Sequence, residues 1–195
     1  MVKGKDWAFT VYGPFDIPVE NAKGGSIRLS PGCKTKAFWD TETEVADLKD
    51  KSGVYVFAIK TKKAMNPIPF YVGQTGKRKR KGKSKSVNGK RSLLKRGFEA
   101  EVFTTTNVNK YNHALSDYKN AKAKLYLITK IQGKVNRVYI EQLETFLINV
   151  AAERNDELRN TQKRVVYKWR VKGLFKAKPG EKQRSARELK AVLGL

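Results

Sequence analysis

The sequence predicts an α/β fold of the α+β kind, on three observations: two neighbouring runs of β-branched and aromatic residues, a third such run further on, and one long segment with helical periodicity. The first run is Gly53-Val54-Tyr55-Val56-Phe57-Ala58-Ile59. A polar stretch ending in Asn66-Pro67 separates it from the second, Phe70-Tyr71-Val72-Gly73. Two such runs joined by a turn-rich connection read as antiparallel neighbours, which brings two tyrosines close in space. Lys124 to Ile131 reads as a third strand, with Gly133 marking a turn after it. A helical candidate runs from Val108 to about Asn120.

From Arg137 to about Arg154, the apolar residues Tyr139, Ile140, Leu143, Phe146, Leu147, Val150 and Ala151 recur at the spacing of an amphipathic helix, the surest in the chain. At about 100° per residue, Glu144 projects among Ile140, Leu147, Ile148 and Ala151, so its carboxylate is expected on the apolar stripe, with Glu141 further toward the edge. An acid so placed needs a partner. A buried salt bridge with one of the many cations and a metal or catalytic role are equally open on the residues alone.

Length and composition bound the rest. A chain of 195 residues with 39% hydrophobic content suits one domain with extensions and is large enough to bury a core. The expected division is an N-terminal extension over 1–50, a core over 51–165 with a basic loop at 76–97, and a basic C-terminal extension over 166–195. The first fifty residues mix a strand-like piece, Ala8 to Tyr12, with turn residues at Gly13-Pro14, Gly24-Gly25 and Pro31-Gly32. The tail closes in a short amphipathic helix through Ala186, Leu189, Val192 and Leu193, read as packing plus phosphate contact. The single cysteine, Cys33, cannot form an internal disulfide, and the absence of Cys or His clusters excludes a zinc site.

The formal net charge is +24, so a polyanion is the natural partner, because surface Lys and Arg displace the counterions of phosphates. The charge is concentrated. Lys77, Arg78, Lys79, Arg80, Lys81, Lys83, Lys85, Lys90, Arg91, Lys95 and Arg96 follow one another with no acidic residue among them. Such a block is a solvated charge run or a phosphate-binding one, and without acids to offset it phosphate contact is favoured. A membrane-surface role is disfavoured, since no apolar run approaches the roughly 20 residues of a spanning helix and Met1 to Phe9 lacks a signal-peptide core. The expected compartment is the cytoplasm of a bacterial or phage-infected cell.

Gly53-Val54-Tyr55, then Tyr71-Val72-Gly73 sixteen residues later, then Leu143-Glu144-Thr145-Phe146-Leu147-Ile148 in a helix after a third strand, resembles the GIY-YIG nucleases. Each piece alone is common, and their order and spacing together are fairly specific. The likeness is nearest to small stand-alone members related to GIY-YIG restriction endonucleases, through Phe98 to Thr104, Tyr111-Asn112, Arg154 to Asn160, Trp169 to Gly173 and Ser185 to Leu189, and so covers roughly residues 38–195. It implies a small three-stranded antiparallel sheet flanked by helices, and metal-dependent hydrolysis of phosphodiester bonds.

Carried onto this chain, the resemblance makes Glu144 the ligand of Mg²⁺ (or Mn²⁺), Tyr55 the general base or its relay, and Tyr71 the group that positions phosphate or attacking water. A hard cation that keeps most of its waters needs only one carboxylate if the substrate phosphate adds another oxygen. A tyrosine with a pKa near 10 needs nearby cations or metal-bound water to act as a base. Without the likeness, both tyrosines read as strand aromatics packing a core. Asn160, with Asn155 in reserve, is expected as the family's distal asparagine, and Gly73 is expected to permit close backbone approach. The family also places a basic residue four positions before a Tyr or His. With Tyr111 as that aromatic the position falls on Asn107, which carries no charge. Lys110, or Arg91, Lys95 or Arg96 from the basic loop, is expected to substitute, and His113, the only histidine, is a candidate proton-transfer group.

The expected function is therefore a metal-dependent endonuclease acting on double-stranded DNA, of restriction, mobile-element or phage type. Its phosphate contacts would come from Lys77, Arg78, Arg80, Lys81, Lys83, Lys90, Arg91, Lys95 and Arg96, and a homodimer is allowed. The rival from another class is a non-catalytic nucleic-acid-binding or structural protein on the same fold. A basic ribosome-associated protein would explain the charge and leave Glu144 and the tyrosine strands without a role.

Overall fold

In the computed structural model, described for residues 7–31, 48, 51–75, 102–130, 136–155, 158, 169–174, 179–181 and 183–195, sheet and helix both contribute to an α+β fold. In chain order the elements are β1 (Trp7–Ile17), β2 (Val19–Asn21), a 3₁₀ turn (Lys23–Gly25), β3 (Ile27–Leu29), β4 (Gly53–Lys60) and β5 (Ile68–Gln74). They continue with α1 (Thr105–Ser116), β6 (Lys122–Thr129), α2 (Arg137–Arg154), β7 (Trp169–Val171) and α3 (Arg184–Leu193).

The three strands expected from the sequence form, with β4 pairing antiparallel to β5 on one side and to β6 on the other. The sheet does not stop there. It has five strands in the order β5-β4-β6-β1-β7, with β1 antiparallel to β6 and β7 parallel to β1. A small three-stranded sheet is thus corrected to a five-stranded one, because β6 offers a second edge whose backbone groups β1 satisfies. β1 and β7 come from the segments read as N- and C-terminal extensions. A second, two-stranded sheet pairs β2 with β3.

Alternation along the strands divides the core into two layers. Val54, Val56, Ala58, Val72, Tyr126 and Ile128 face α2 and α3, where Ile140, Leu143, Leu147, Val150, Leu189 and Val192 close over them. Tyr55, Phe57, Ile59, Leu125 and Leu127 face the other way, under α1 and the β2-β3 hairpin. β1 serves both layers. Its residues Phe9 and Val11 belong to the first, and Phe15 and Ile17, at the same odd spacing, to the second. A bulge between Tyr12 and Phe15 accounts for the switch: four residues of β1 span three of β6, which turns the later side chains to the opposite face. Gly13 sits in this bulge at φ +98°, and a Cβ there would lie 2.6 Å from the Leu125 carbonyl oxygen, so the bulge requires glycine.

Helix α1 starts three residues before the expected Val108, because Thr104 caps it: its hydroxyl accepts from the Asn107 amide nitrogen at 3.3 Å. Asn112 on the same helix accepts from Leu29 N at 2.8 Å and ties α1 to the hairpin. Helix α2 has the bounds read from its periodicity, is capped by Asn136, and packs on β5 and β4. Thr104→Ala is expected to cost about 1 kcal/mol, seen as a lower urea midpoint at unchanged slope. An unshifted midpoint would show that the cap bond adds nothing.

Candidate functional site

On the α1 face of the sheet three tyrosines converge. Tyr55 from β4 and Tyr71 from β5 have ring centroids 6.0 Å apart, and Tyr111 from α1 meets Tyr71 edge-on at 5.8 Å. Tyr111 also stacks on Phe57 at 4.2 Å. Tyr55 and Tyr111 are 2% and 1% exposed, so Tyr71, half-buried at the outer edge strand, is the member that meets solvent. The expected closeness of Tyr55 and Tyr71 follows from register: Tyr71 pairs with Phe57 and Gly73 with Tyr55, which turns both tyrosine side chains to one face.

The hydroxyls are held by named partners. Asn107, buried in the first turns of α1, donates from Nδ2 to the Tyr55 oxygen at 2.7 Å. Tyr111 donates to the Val102 carbonyl at 3.1 Å. Burial pushes the Tyr55 phenol well above its ordinary pKa, the neighbouring Tyr71 pushes it further, and the polar side chains of Tyr111 and Asn107 beside it only partly offset this. Burial, with Tyr55 and Tyr71 beside it, raises Tyr111 in the same way. Both phenols are therefore neutral near pH 7. Tyr55 as an unaided base is not supported by this geometry, and a hydrogen-bonding or relay role is what its surroundings permit.

The place where a cation was expected now has a physical account. Position 107 lies beneath Tyr55 in the core, where an Arg or Lys would bury its charge at a cost of several kcal/mol or more. Asparagine supplies a hydrogen bond there without that cost. Lys110, one turn further along α1, is exposed and sets its ammonium 4.6 Å from the Tyr71 ring centroid, a cation–π contact at the mouth of the cluster. His113 is not part of it. The side chain is exposed and stands roughly 200° around α1 from Tyr111, on the opposite side of the helix.

Gly73 differs in its role from what the sequence suggested. A Cβ at this position would lie 2.4 Å from both Cζ and the hydroxyl of Tyr55, so the missing side chain makes room for the tyrosine ring itself.

Glu144 lies on α2, which covers the other face of the sheet. The buried stripe of that helix is Ile140, Leu143, Leu147, Val150 and Ala151, and Glu144 is half-buried roughly 70° from its middle, on the flank rather than among the core residues. The helix packs on β5, the edge strand that carries Tyr71, and Asn155 at its C-cap donates to the Pro69 carbonyl at 2.9 Å. Glu144 is about 16 Å back along the helix axis from that tie, and Gly73 about 13 Å from Pro69 along β5. Among the described residues, no group of three or more His, Cys, Asp or Glu side chains could hold a metal ion. A lone carboxylate still suits Mg²⁺, which takes its remaining oxygens from water and phosphate.

Lys77, Arg78, Arg80, Lys81, Lys83, Lys90, Arg91, Lys95, Arg96 and Asn160 lie outside the described residues. The nearest described residues on either side of the basic segment are Thr75 and Val102. On one side β5 ends at Gln74, next to Gly73 beneath the Tyr55 ring, and Thr75 accepts from Gly53 N at 2.8 Å. On the other, Val102 holds the Tyr111 hydroxyl. Sequence reasoning missed Asn107 as the partner of Tyr55 and Val102 as the partner of Tyr111. Neither pairing has a local signal, although a threonine three residues before Asn107 does mark the helix start that buries it.

Among the described residues no helix is long and apolar enough to cross a membrane. Comparison with known proteins found no match among family models, curated proteins or solved structures.

Proposed function

We propose that this chain is a metal-dependent endonuclease of the GIY-YIG kind that hydrolyses phosphodiester bonds in DNA. The observation that carries the reading is the anchoring of the basic segment: the chain enters it from beside Tyr55 and returns from it at Val102, the partner of Tyr111. The nearest described residues on either side of this acid-free stretch of lysine and arginine are Thr75, two residues after Gly73, and Val102, whose carbonyl accepts from Tyr111. A phosphate drawn to that stretch is delivered to Tyr71 and Lys110.

The division of labour follows from exposure. Tyr71 and Lys110, at the open edge, contact the scissile phosphate, and the Lys110 ammonium offsets charge that develops on it. Tyr55, fixed from behind by Asn107, orients Tyr71 or a water through its hydroxyl. Glu144 lies across the sheet from the tyrosines, on the helix that packs on edge strand β5, and would hold Mg²⁺ or Mn²⁺ for a phosphate bound round that edge; the metal would neutralise phosphate charge and acidify water. Water attacks phosphorus in line as the P–O bond to the leaving oxygen breaks; the attacking water gives its proton to solvent, and the leaving oxygen takes one from solvent.

A second reading, a non-catalytic DNA binder on the same scaffold, is favoured by one pair of facts: Tyr55 is held neutral, and its hydrogen-bond partner is an uncharged asparagine. Incubation of duplex DNA of varied sequence with the protein and Mg²⁺, against an EDTA control, separates the two. Cutting in Mg²⁺ alone is expected; discrete fragments would mark a sequence-specific enzyme and a smear a non-specific one. DNA that is retained in gel shifts and never cut supports the binder.

A further inference from the structure

A second candidate site lies at the far end of the sheet and on the opposite face from the tyrosines. Where β4 ends and β6 begins, Lys60 pairs with Lys122, five residues along from the Tyr55–Leu127 pair, or about 17 Å. The β4–β5 turn, the start of β6 and helix α3 there border an open hollow of about 580 Å³. That is within the range of roughly 300–1,000 Å³ typical of small-molecule sites.

Its walls combine two chemistries. Pro14, Pro67 and Ala191 offer apolar surface above the buried Tyr126 ring, and Lys60, Lys62, Lys122, Lys124 and Arg187 bring cations against the single acid Glu188. Two of the cations are engaged: Lys124 pairs with Asp16 at 2.6 Å, and the Lys60 ammonium donates to the Ala64 and Met65 carbonyls, which braces the turn that forms one wall. Glu188 is held by Arg184 at 3.1 Å. Lys62, Lys122 and Arg187 are exposed, and none of them is ion-paired among the described residues. Three such cations around an apolar hollow suit an anion carrying a flat apolar body. An uncharged apolar ligand would leave the cations without a role, and inorganic phosphate would leave most of the volume empty.

We infer that this hollow binds a nucleoside phosphate, with the base against Pro14, Pro67 and Ala191 and the phosphate on Lys62, Lys122 and Arg187. The site is independent of the tyrosine cluster and stands whether or not that cluster cuts. The same chemistry is offered by a free nucleotide and by the phosphorylated end of a strand.

The test is binding by the full chain of adenosine 5′-monophosphate and of a short single-stranded DNA with a 5′-phosphate, followed by calorimetry and by amide shifts of Thr61, Asn120 and Lys122. The combined exposed-surface variant K62E/K122E/R187E is expected to weaken binding by about tenfold or more, and Glu188→Gln to strengthen it. A matched control, K23E/K172E, places the same kind of change at exposed lysines outside the cavity and is expected to have a much smaller effect. Binding of both ligands with these losses supports a nucleotide site. Binding of the oligonucleotide alone, with the same losses, supports a strand-end site. No binding of either, shifts outside the cavity, or equal weakening by the control overturns the inference.

Discussion

Glu144→Ala is expected to lower metal-dependent DNA cutting by about a hundredfold or more, because several kcal/mol of phosphate stabilisation would be lost with the metal. The substitution tests chemistry rather than folding. Glu144 is on the flank of the α2 stripe, so its removal leaves Ile140, Leu143 and Leu147 packed on the sheet, and alanine favours helix. The packing part of any stability cost should therefore be small, about 1 kcal/mol or less. Glu144→Gln is the sharper variant, since it keeps the shape and the capacity to hydrogen bond and removes the charge that binds a hard cation. If glutamine cuts as well as glutamate, Glu144 is a structural residue and the metal assignment fails. If both variants bind DNA normally in gel shifts and have lost cutting, the site is catalytic and the basic segment is a separate binding element.

The parts of the fold that were legible in the sequence are those whose own residues carry the period. β4 and β6 are long runs rich in Val, Ile, Leu and aromatics, and α2 repeats its apolar residues at helical spacing over five turns, so each announces itself locally. β1 was visible only to Tyr12, because the bulge at Gly13-Pro14 breaks the alternation and reverses which residues face inward. β7 has three residues and exists as a strand because β1 lies beside it, which no window of sequence can report.

The site divides in the same way. Proximity of Tyr55 and Tyr71 needed only two adjacent antiparallel strands, and that much could be read. The partnership of Tyr55 with Asn107 depends on which face of the sheet α1 covers, a tertiary fact. Glu144 was placed among the core residues by counting turns, and its position on the flank emerges once α2 is seen to bury Leu143 and Val150 as well as Ile140 and Leu147. Seen from sequence, Asn107 was a defect in a pattern. Packed beneath Tyr55, it is the uncharged donor that a buried phenol can accept from.

Gly73→Ala is the substitution expected to damage the fold and the cluster together. The added Cβ would lie 2.4 Å from Cζ and the hydroxyl of Tyr55, far inside van der Waals contact. Tyr55 has little freedom to retreat: it is 2% exposed, its oxygen is fixed by Asn107, and its strand is paired on both sides. Relief requires β4 and β5 to separate or the ring to leave its place, and the cost is about 1–3 kcal/mol, read from the urea midpoint. The cause can be isolated with a truncated partner. In Tyr55→Leu the clashing Cζ and hydroxyl are gone, so alanine at position 73 should be tolerated, and the Gly73→Ala/Tyr55→Leu pair should be more stable than the sum of the single changes by about 1 kcal/mol or more. Strict additivity would mean that Gly73 is required by the backbone and not by the ring. With the expected coupling, the glycine of the second strand is explained by the tyrosine of the first, and what looked in the sequence like two separate three-residue motifs is one packing unit across the β4–β5 pair.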